Sequence, residues 1–428
     1  MYLPYNQRLK YLTIITLTSF FLLLGCSSSR VTKYSTLLQN EPLNNSFHGL
    51  VVLDTERDEV IYNTNGDRYF TPASNLKIVT FFTGLVLLPK NIPSLKYHVQ
   101  NDTLFAEGTG DPSALHPYFE DSTAINFLNS FKNVSLYLKN SAEDKYGPGW
   151  AWEDYDTYFS PEKSTFPLYG NVVTISKPDS LNVSPSFFKE NVILIEESKQ
   201  RDEFINHFFI SPSEKDTLEV PFITSDLLTK HLLENNLKKN ISLIDSFPAG
   251  DKKILYGIET DSIYKLMLHK SDNFLAEQLL MAASSMLSDT LSTKTVITHM
   301  LENDLADLEH QPRWVDGSGL SRYNLFTPKS FVQILQKIYT KVPGKRLFQL
   351  FPSWGALGTI TKWENPNTKP YIFAKSGYVG NNYNLSGYLK TKSGKLLIFS
   401  FMNNHFTIPT SQIRLEIATV LKDLHENY

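Results

Sequence analysis

Four Ser-x-x-Lys tetrads punctuate the 428-residue chain, beginning at Ser74, Ser160, Ser186 and Ser262. Residues three apart on a helix share a face, so each tetrad could set a lysine amine beside a serine hydroxyl. A serine becomes a nucleophile when a neighbouring base takes its proton. Lysine can be that base only when partly neutral, which needs burial or a nearby positive charge. The same tetrad is equally an ordinary helix start, with a capping hydroxyl and a lysine reaching for water. Of the four, only Lys77 heads a long apolar run, "KIVTFFTGLVLL", able to strip water from its amine.

Two further short stretches offer matching chemistry. Ser271-Asp272-Asn273 places a hydroxyl and a carboxamide at the head of a second apolar helix, "SDNFLAEQLLMAASSML", and Ser-x-Asn recurs only at Ser180. Lys375-Ser376-Gly377 lies inside a strand-like run, "PYIFAKSGYV". There a lysine and a hydroxyl can hold a carboxylate, and the glycine lets a substrate backbone come close. A second Lys-Ser-Gly, at Lys392, sits between two strand-like runs in "KTKSGKLL" and reads as a hairpin turn.

The elements that must position these residues are legible in outline. "HGLVVLDTERDEVIYN" alternates like a hairpin. After it, residues from Ser74 to Leu88 are expected as a buried helix that Pro89 stops. From 91 to 250 the texture changes to short β-like runs among Pro, Asn, Asp and Ser clusters, with one amphipathic helix, "SDLLTKHLLENNLKK". Beyond it come the second buried helix, "TPKSFVQILQKIY" capped by Thr327 with Pro328 in its first turn, three strand-like runs and a terminal amphipathic helix. That order predicts an α+β domain whose sheet is completed from both ends of the chain, interrupted by a β-rich domain.

In this order the three chemical elements match the set shared by penicillin-binding proteins and class A β-lactamases. Only with Ser74 first does the order put serine–lysine on a helix after a hairpin, Ser-x-Asn on a later helix and Lys-Ser-Gly on a strand. "GTGDPSAL" at Gly108, "GPGWAWEDY" at Gly147 and above all "DGSGLSRYN" at Asp316 narrow the match. From about residue 47 onward the chain resembles the D-alanyl-D-alanine carboxypeptidase/endopeptidase family, the DacB-like low-molecular-mass class C penicillin-binding proteins. The resemblance implies a β-lactamase/transpeptidase-like domain, an antiparallel sheet flanked by helices, formed by residues 46–90 and 251–428 around an inserted domain at 91–250. It implies Ser74 as acylated nucleophile, Lys77 as general base, and Ser271 and Asn273 as proton relay and peptide holder. Lys375 and Ser376 would bind the terminal carboxylate beside Gly377. The N–H groups of Ser74 and Tyr378 would form the oxyanion hole, and Asp154 would meet the free amine of the peptide stem. The implied substrate is a peptidoglycan stem peptide, β-lactams are the implied covalent inhibitors, and cross-bridge endopeptidase activity stands open beside carboxypeptidase activity.

Some positions depart from the family pattern. Ser376 stands where threonine is common, Glu153 where aspartate is frequent, and the insertion is shorter than in the longest members. One alternative is a β-lactamase or esterase on the same fold. Class A β-lactamases use a Glu-x-x-Leu-Asn element, whereas here Glu302-x-x-Leu305 is followed by Ala306, and nitrocefin turnover separates the two readings. The other alternative is a non-catalytic envelope-binding lipoprotein, which would bind peptidoglycan fragments without releasing D-Ala.

Composition bounds the partners. A net charge of −3, with no basic cluster, gives no reason to expect nucleic acid. The 10 histidines show no metal-ligand spacing, and no metal or other cofactor is expected. Arg8 and Lys10 precede the apolar run "YLTIITLTSFFLLLG", which ends at Cys26, the single cysteine of the chain. This resembles a lipoprotein signal over 1–26 with lipidation at Cys26, followed by a polar tether at 27–45. The expected location is the bacterial envelope, lipid-anchored and facing the periplasm. With no second thiol the mature chain can form no internal disulfide, so packing must hold it.

Overall fold

Both ends of the chain meet in one sheet. The computed structural model describes Leu43 and residues 46–177, 180–353 and 369–428. The expected signal segment and Cys26 lie outside the described residues, as does the expected tether apart from Leu43. The predicted hairpin forms as antiparallel strands Phe47–Asp54 and Glu59–Thr64. The three late strand-like runs become Ile372–Val379, Asn382–Lys390 and Leu396–Asn404. Leu396–Asn404 pairs with Phe47–Asp54, which joins the two halves as a five-stranded antiparallel sheet with Ile372–Val379 at one edge.

Alternation along a strand sends successive side chains to opposite faces. Val51 and Leu53 enter a core shared with helices Lys77–Leu87, Thr260–Lys270, Asn273–Ser285 and Pro328–Lys341. Leu50 and Val52 enter a second core beneath the terminal helix Thr410–Asn427. The sheet is therefore covered on both faces, which gives its edge strand a rigid backing. The Lys392 repeat forms the hairpin turn expected of it: Gly394 has φ +93° and its N–H bonds to Thr391 O at 3.0 Å.

The segment between the halves has its own core, built from residues such as Leu104, Leu136, Val173, Phe208 and Leu233. Its main sheet has the order Ser242–Leu243, Asn133–Tyr137, Thr103–Gly108, Asn91–Gln100 and Lys253–Glu259. The last of these strands lies past Gly250, where composition places the end of the insertion. It is held there by antiparallel pairing with Asn91–Gln100.

The segment expected as one helix from Ser74 to Leu88 is divided. Ala73–Leu76 forms a tight 3₁₀ turn and the α-helix spans Lys77–Leu87. Ala73 has φ +48°, a left-handed conformation that is strained for a residue with a Cβ. A methyl on Gly319 would fall 1.9 Å from the Ala73 carbonyl, so this turn is pressed directly against the Asp316–Ser321 loop.

Candidate active site

Three pieces of chain converge at the turn that carries Ser74. The serine–lysine helix is buried along Lys77–Gly84, so Lys77 itself is fully buried. Its Nζ lies 2.9 Å from Ser74 Oγ, 2.7 Å from Asn273 Oδ1 and 2.7 Å from the carbonyl oxygen of Ser318. Burial pulls the Lys77 amine down to about 8, against the pull of the Asp272, Glu277 and Asp316 charges.

The second piece is the join between helices Thr260–Lys270 and Asn273–Ser285. Ser271 takes a left-handed conformation, φ +58°, and ends the first helix. Asp272 then caps the second, its Oδ1 accepting the Leu275 N–H at 2.9 Å. Capping occupies Asp272, and Ser271 and Asn273 turn toward the cleft. Asn273 Nδ2 donates to the Phe159 carbonyl at 2.9 Å, which fixes its oxygen toward Lys77.

The third piece is the sheet edge. Lys375 is fully buried, and its Nζ donates to Ser271 Oγ at 2.9 Å and to the Ser376 carbonyl at 2.6 Å. Burial first, then the nearby Lys77 charge, hold it well below the ordinary lysine range. Gly377 is required by proximity: a Cβ there would lie 2.5 Å from Pro72 O and 3.0 Å from Ser74 N. The edge strand thus runs directly alongside the Ser74 turn.

A cavity of about 400 Å³ opens over these groups, lined by Ser74, Ser271, Asn273, Tyr378, Asp154 and Arg322 among others. Asp154 closes the short turn Trp152–Asp154 of the inserted segment. Its carboxyl is raised by partial burial and by Glu153, with Arg322 opposing. Of the residues singled out in the sequence, Ser74, Ser271, Asn273, Tyr378 and Asp154 line this cleft, Lys77 and Lys375 bond to its Ser74 and Ser271, and Ser376 and Gly377 precede Tyr378 on the edge strand.

Other participants carry no motif of their own. The Ser318 and Phe159 carbonyls are backbone groups, which side-chain patterns cannot reveal. Asp316 and Ser318 belong to the glycine-rich run "DGSGLSRYN", which forms a tight loop beside the site. Asp316 accepts from the N–H groups of Gly319 and Ser321, from Asn324 Nδ2 and from Trp150 Nε1, at 2.7–3.0 Å. Glu277 did carry a signal, as the one acidic residue in the helix Asn273–Ser285.

The D-Ala-D-Ala carboxypeptidase 3 (S13) family matches residues 31–187 and 224–424. In sequence the chain is 29% identical over 160 residues to the D-alanyl-D-alanine carboxypeptidase DacB of Haemophilus influenzae, covering 34% of this chain and 32% of that protein. It is 36% identical over 76 residues to penicillin-sensitive carboxypeptidase A of Dictyostelium discoideum, 17% of this chain and 15% of that one. These alignments span about a third and less than a sixth of the two relatives. In structure the chain resembles penicillin binding protein 4 (dacB) from Haemophilus influenzae, with TM-score 0.71 at 18% identity, covering 92% of this chain and 99% of that one. A predatory peptidoglycan endopeptidase from Bdellovibrio bacteriovorus superposes with TM-score 0.51 at 14% identity, over 88% of this chain and 93% of that one. These structures share the α+β, β-lactamase/transpeptidase-like fold.

Proposed function

The chain belongs to the D-Ala-D-Ala carboxypeptidase 3 (S13) family, and from that premise we propose that it is a serine D-Ala-D-Ala carboxypeptidase acting on peptidoglycan stem peptides, with cross-bridge endopeptidase activity at the same site. One observation carries the reading. A neutral Lys77 has two N–H bonds, and two atoms that can only accept, Asn273 Oδ1 and Ser318 O, lie 2.7 Å away to take them. The nitrogen lone pair is left for the Ser74 hydroxyl at 2.9 Å. The amine is aimed as a base.

In the proposed reaction Lys77 Nζ takes the Ser74 proton as Oγ bonds to the carbonyl carbon of the penultimate D-Ala. The oxyanion forms against the N–H groups of Ser74 and Tyr378. The C–N bond then breaks, and the departing D-Ala amine takes a proton relayed from Lys77 through the Ser271 hydroxyl. Water attacks the resulting ester with Lys77 again as base, which frees Ser74 and the shortened peptide. The terminal carboxylate pairs with Lys375 and the Ser376 hydroxyl, and its negative charge restores the ammonium that burial disfavours. β-Lactams would acylate the same oxygen. We place the enzyme in the bacterial envelope, exported and held by lipid on Cys26, facing the periplasm.

The test is mass spectrometry of the intact protein after exposure to ampicillin, with D-Ala release from a synthetic stem pentapeptide measured in parallel. A single adduct on Ser74, absent from Ser74→Ala, and release of free D-Ala are expected. Wild-type protein that acquires no adduct and releases no D-Ala would overturn the proposal.

A further inference from the structure

Glu277 is an acid inside a helix, Asn273–Ser285, whose every residue is buried, and it is itself 1% exposed. It lies one turn after Asn273, on the same face. Its carboxylate accepts the Gly317 N–H at 3.0 and 3.1 Å and the Ser318 N–H at 2.8 Å. Ser318 is the residue whose carbonyl meets Lys77. From the serine–lysine helix, Thr80 Oγ1 donates to the Gly317 carbonyl at 2.6 Å. The loop also packs closely against the helix that carries Glu277, since a Cβ on Gly317 would stand 2.6 Å from the Ala276 carbonyl.

We propose that Glu277 is a positioning residue for the nucleophile–base pair: by fastening the N–H groups of Gly317 and Ser318, it holds the Ser318 carbonyl where it occupies one N–H of Lys77 and leaves the lone pair to Ser74. The inference rests on the reading of Lys77 as the base. Burial, then the Asp316 charge, push the Glu277 carboxyl up to about 7. Above that pH Glu277 also acts through its charge, since Asp272, Glu277 and Asp316 all favour the protonated Lys77 while burial opposes it. Lys375 faces the same amine from the sheet edge, and Asp316 and Lys163 face Glu277. Clamp and charge therefore push in separable directions. Losing the clamp slows acylation, whereas losing the charge makes Lys77 easier to deprotonate.

The experiment follows acylation of the full chain by a fluorescent penicillin across neutral and alkaline pH. Wild type must first label on Ser74; if it does not, the functional reading fails and this inference falls with it. Given labelling, Glu277→Gln keeps the side-chain volume and one acceptor oxygen but no charge. Its plateau rate is expected to fall about 10- to 100-fold, the range for a lost charge-assisted hydrogen bond, with its acid limb moved to lower pH. Thr80→Val, which loosens the same loop without altering charge, is expected to slow the plateau about 2- to 10-fold with its limb unmoved. A Glu277→Gln protein that melts like wild type but keeps the wild-type plateau and limb overturns the proposal. Should that variant fail to fold, an unchanged plateau in Thr80→Val overturns it instead. A purely structural glutamate would alter melting alone.

Discussion

Two Ser-x-x-Lys tetrads with buried lysines, one in each unit of the molecule, have opposite fates. In the inserted segment Ser160 and Lys163 are 1% and 6% exposed, hardly more than Lys77 at 0%. Lys163, however, is paired directly with Glu143, which also accepts from Thr293 at the foot of helix Thr293–Glu302. Lys77 instead faces a hydroxyl, an amide oxygen and a backbone carbonyl. An opposite charge at hydrogen-bonding distance stabilises the ammonium and makes the lysine a structural cation, whereas neutral acceptors leave burial to win. The other two tetrads, at Ser186 and Ser262, have both serine and lysine exposed. The motif acquires its chemistry from the charge of what faces the lysine, not from its spacing.

The sharpest way to break this comparison is to remove each hydroxyl and each amine in turn. Ser74→Ala should abolish acylation by penicillin, and Lys77→Ala should slow it about 10²- to 10⁴-fold, as loss of a positioned base does. Ser160→Ala should acylate at the wild-type rate. Loss of labelling on removal of Ser160 would reverse the assignment. Lys163→Ala should act on stability instead: it strands Glu143 in a nearly dry site, at a cost of about 3–5 kcal/mol, read as a lowered denaturant midpoint.

The pH dependence follows from the same contrast. The free amine is the active form and its folded-state value is about 8, so its fraction grows as pH rises through 8. The acylation rate should climb about tenfold per unit below that point and level above it. A profile flat from pH 6 to 9 would mean that another group takes the proton. Lys375→Ala should cost about 10- to 100-fold in kcat/KM on stem peptides ending in a free carboxylate, the range for a charge-assisted hydrogen bond. The loss should largely vanish on the corresponding C-terminal amide.

How much of this was legible varied with what each piece of the site is made of. Side-chain elements were readable: Ser74, Lys77, Ser271, Asn273 and Lys375 could be placed because the order of their three short motifs resembles a known family's set and because apolar runs mark the helices and strand that carry them. What could not be read is backbone. The Ser318 and Phe159 carbonyls have no residue signature, and the 3₁₀ turn at Ala73–Leu76 lies in close contact with Gly319 and Gly377, which come from distant parts of the chain. Local propensity favours a continuous helix there, and tertiary packing overrides it. The strand Lys253–Glu259 escaped for a similar reason. Its apolar Ile254, Leu255, Tyr256 and Ile258 are strand-like in sequence, but what assigns the strand to the inserted segment's sheet is its pairing with Asn91–Gln100, which no local pattern shows.

The inserted unit contributes no base and no nucleophile to the proposed reaction, yet it walls the cleft through Ala151, Asp154, Tyr158 and Phe159. If its part is to recognise rather than to react, a change there should separate substrates and leave the chemical step alone. Asp154 is the place to look, because its carboxyl is partly buried, has Arg322 within electrostatic reach and lines the same cleft as Ser74. Asp154→Asn keeps the shape and removes the charge. On stem peptides whose third residue bears a free amine, KM should rise about 2- to 10-fold, the range for removing a single solvent-accessible ion pair, with kcat little changed. On the same peptides with that amine acetylated the variant and wild type should be equal, and penicillin should acylate both at one rate. An equal loss on all three would move Asp154 from the recognition wall into the machinery that holds Ser74, and the division of labour between the two units would have to be redrawn.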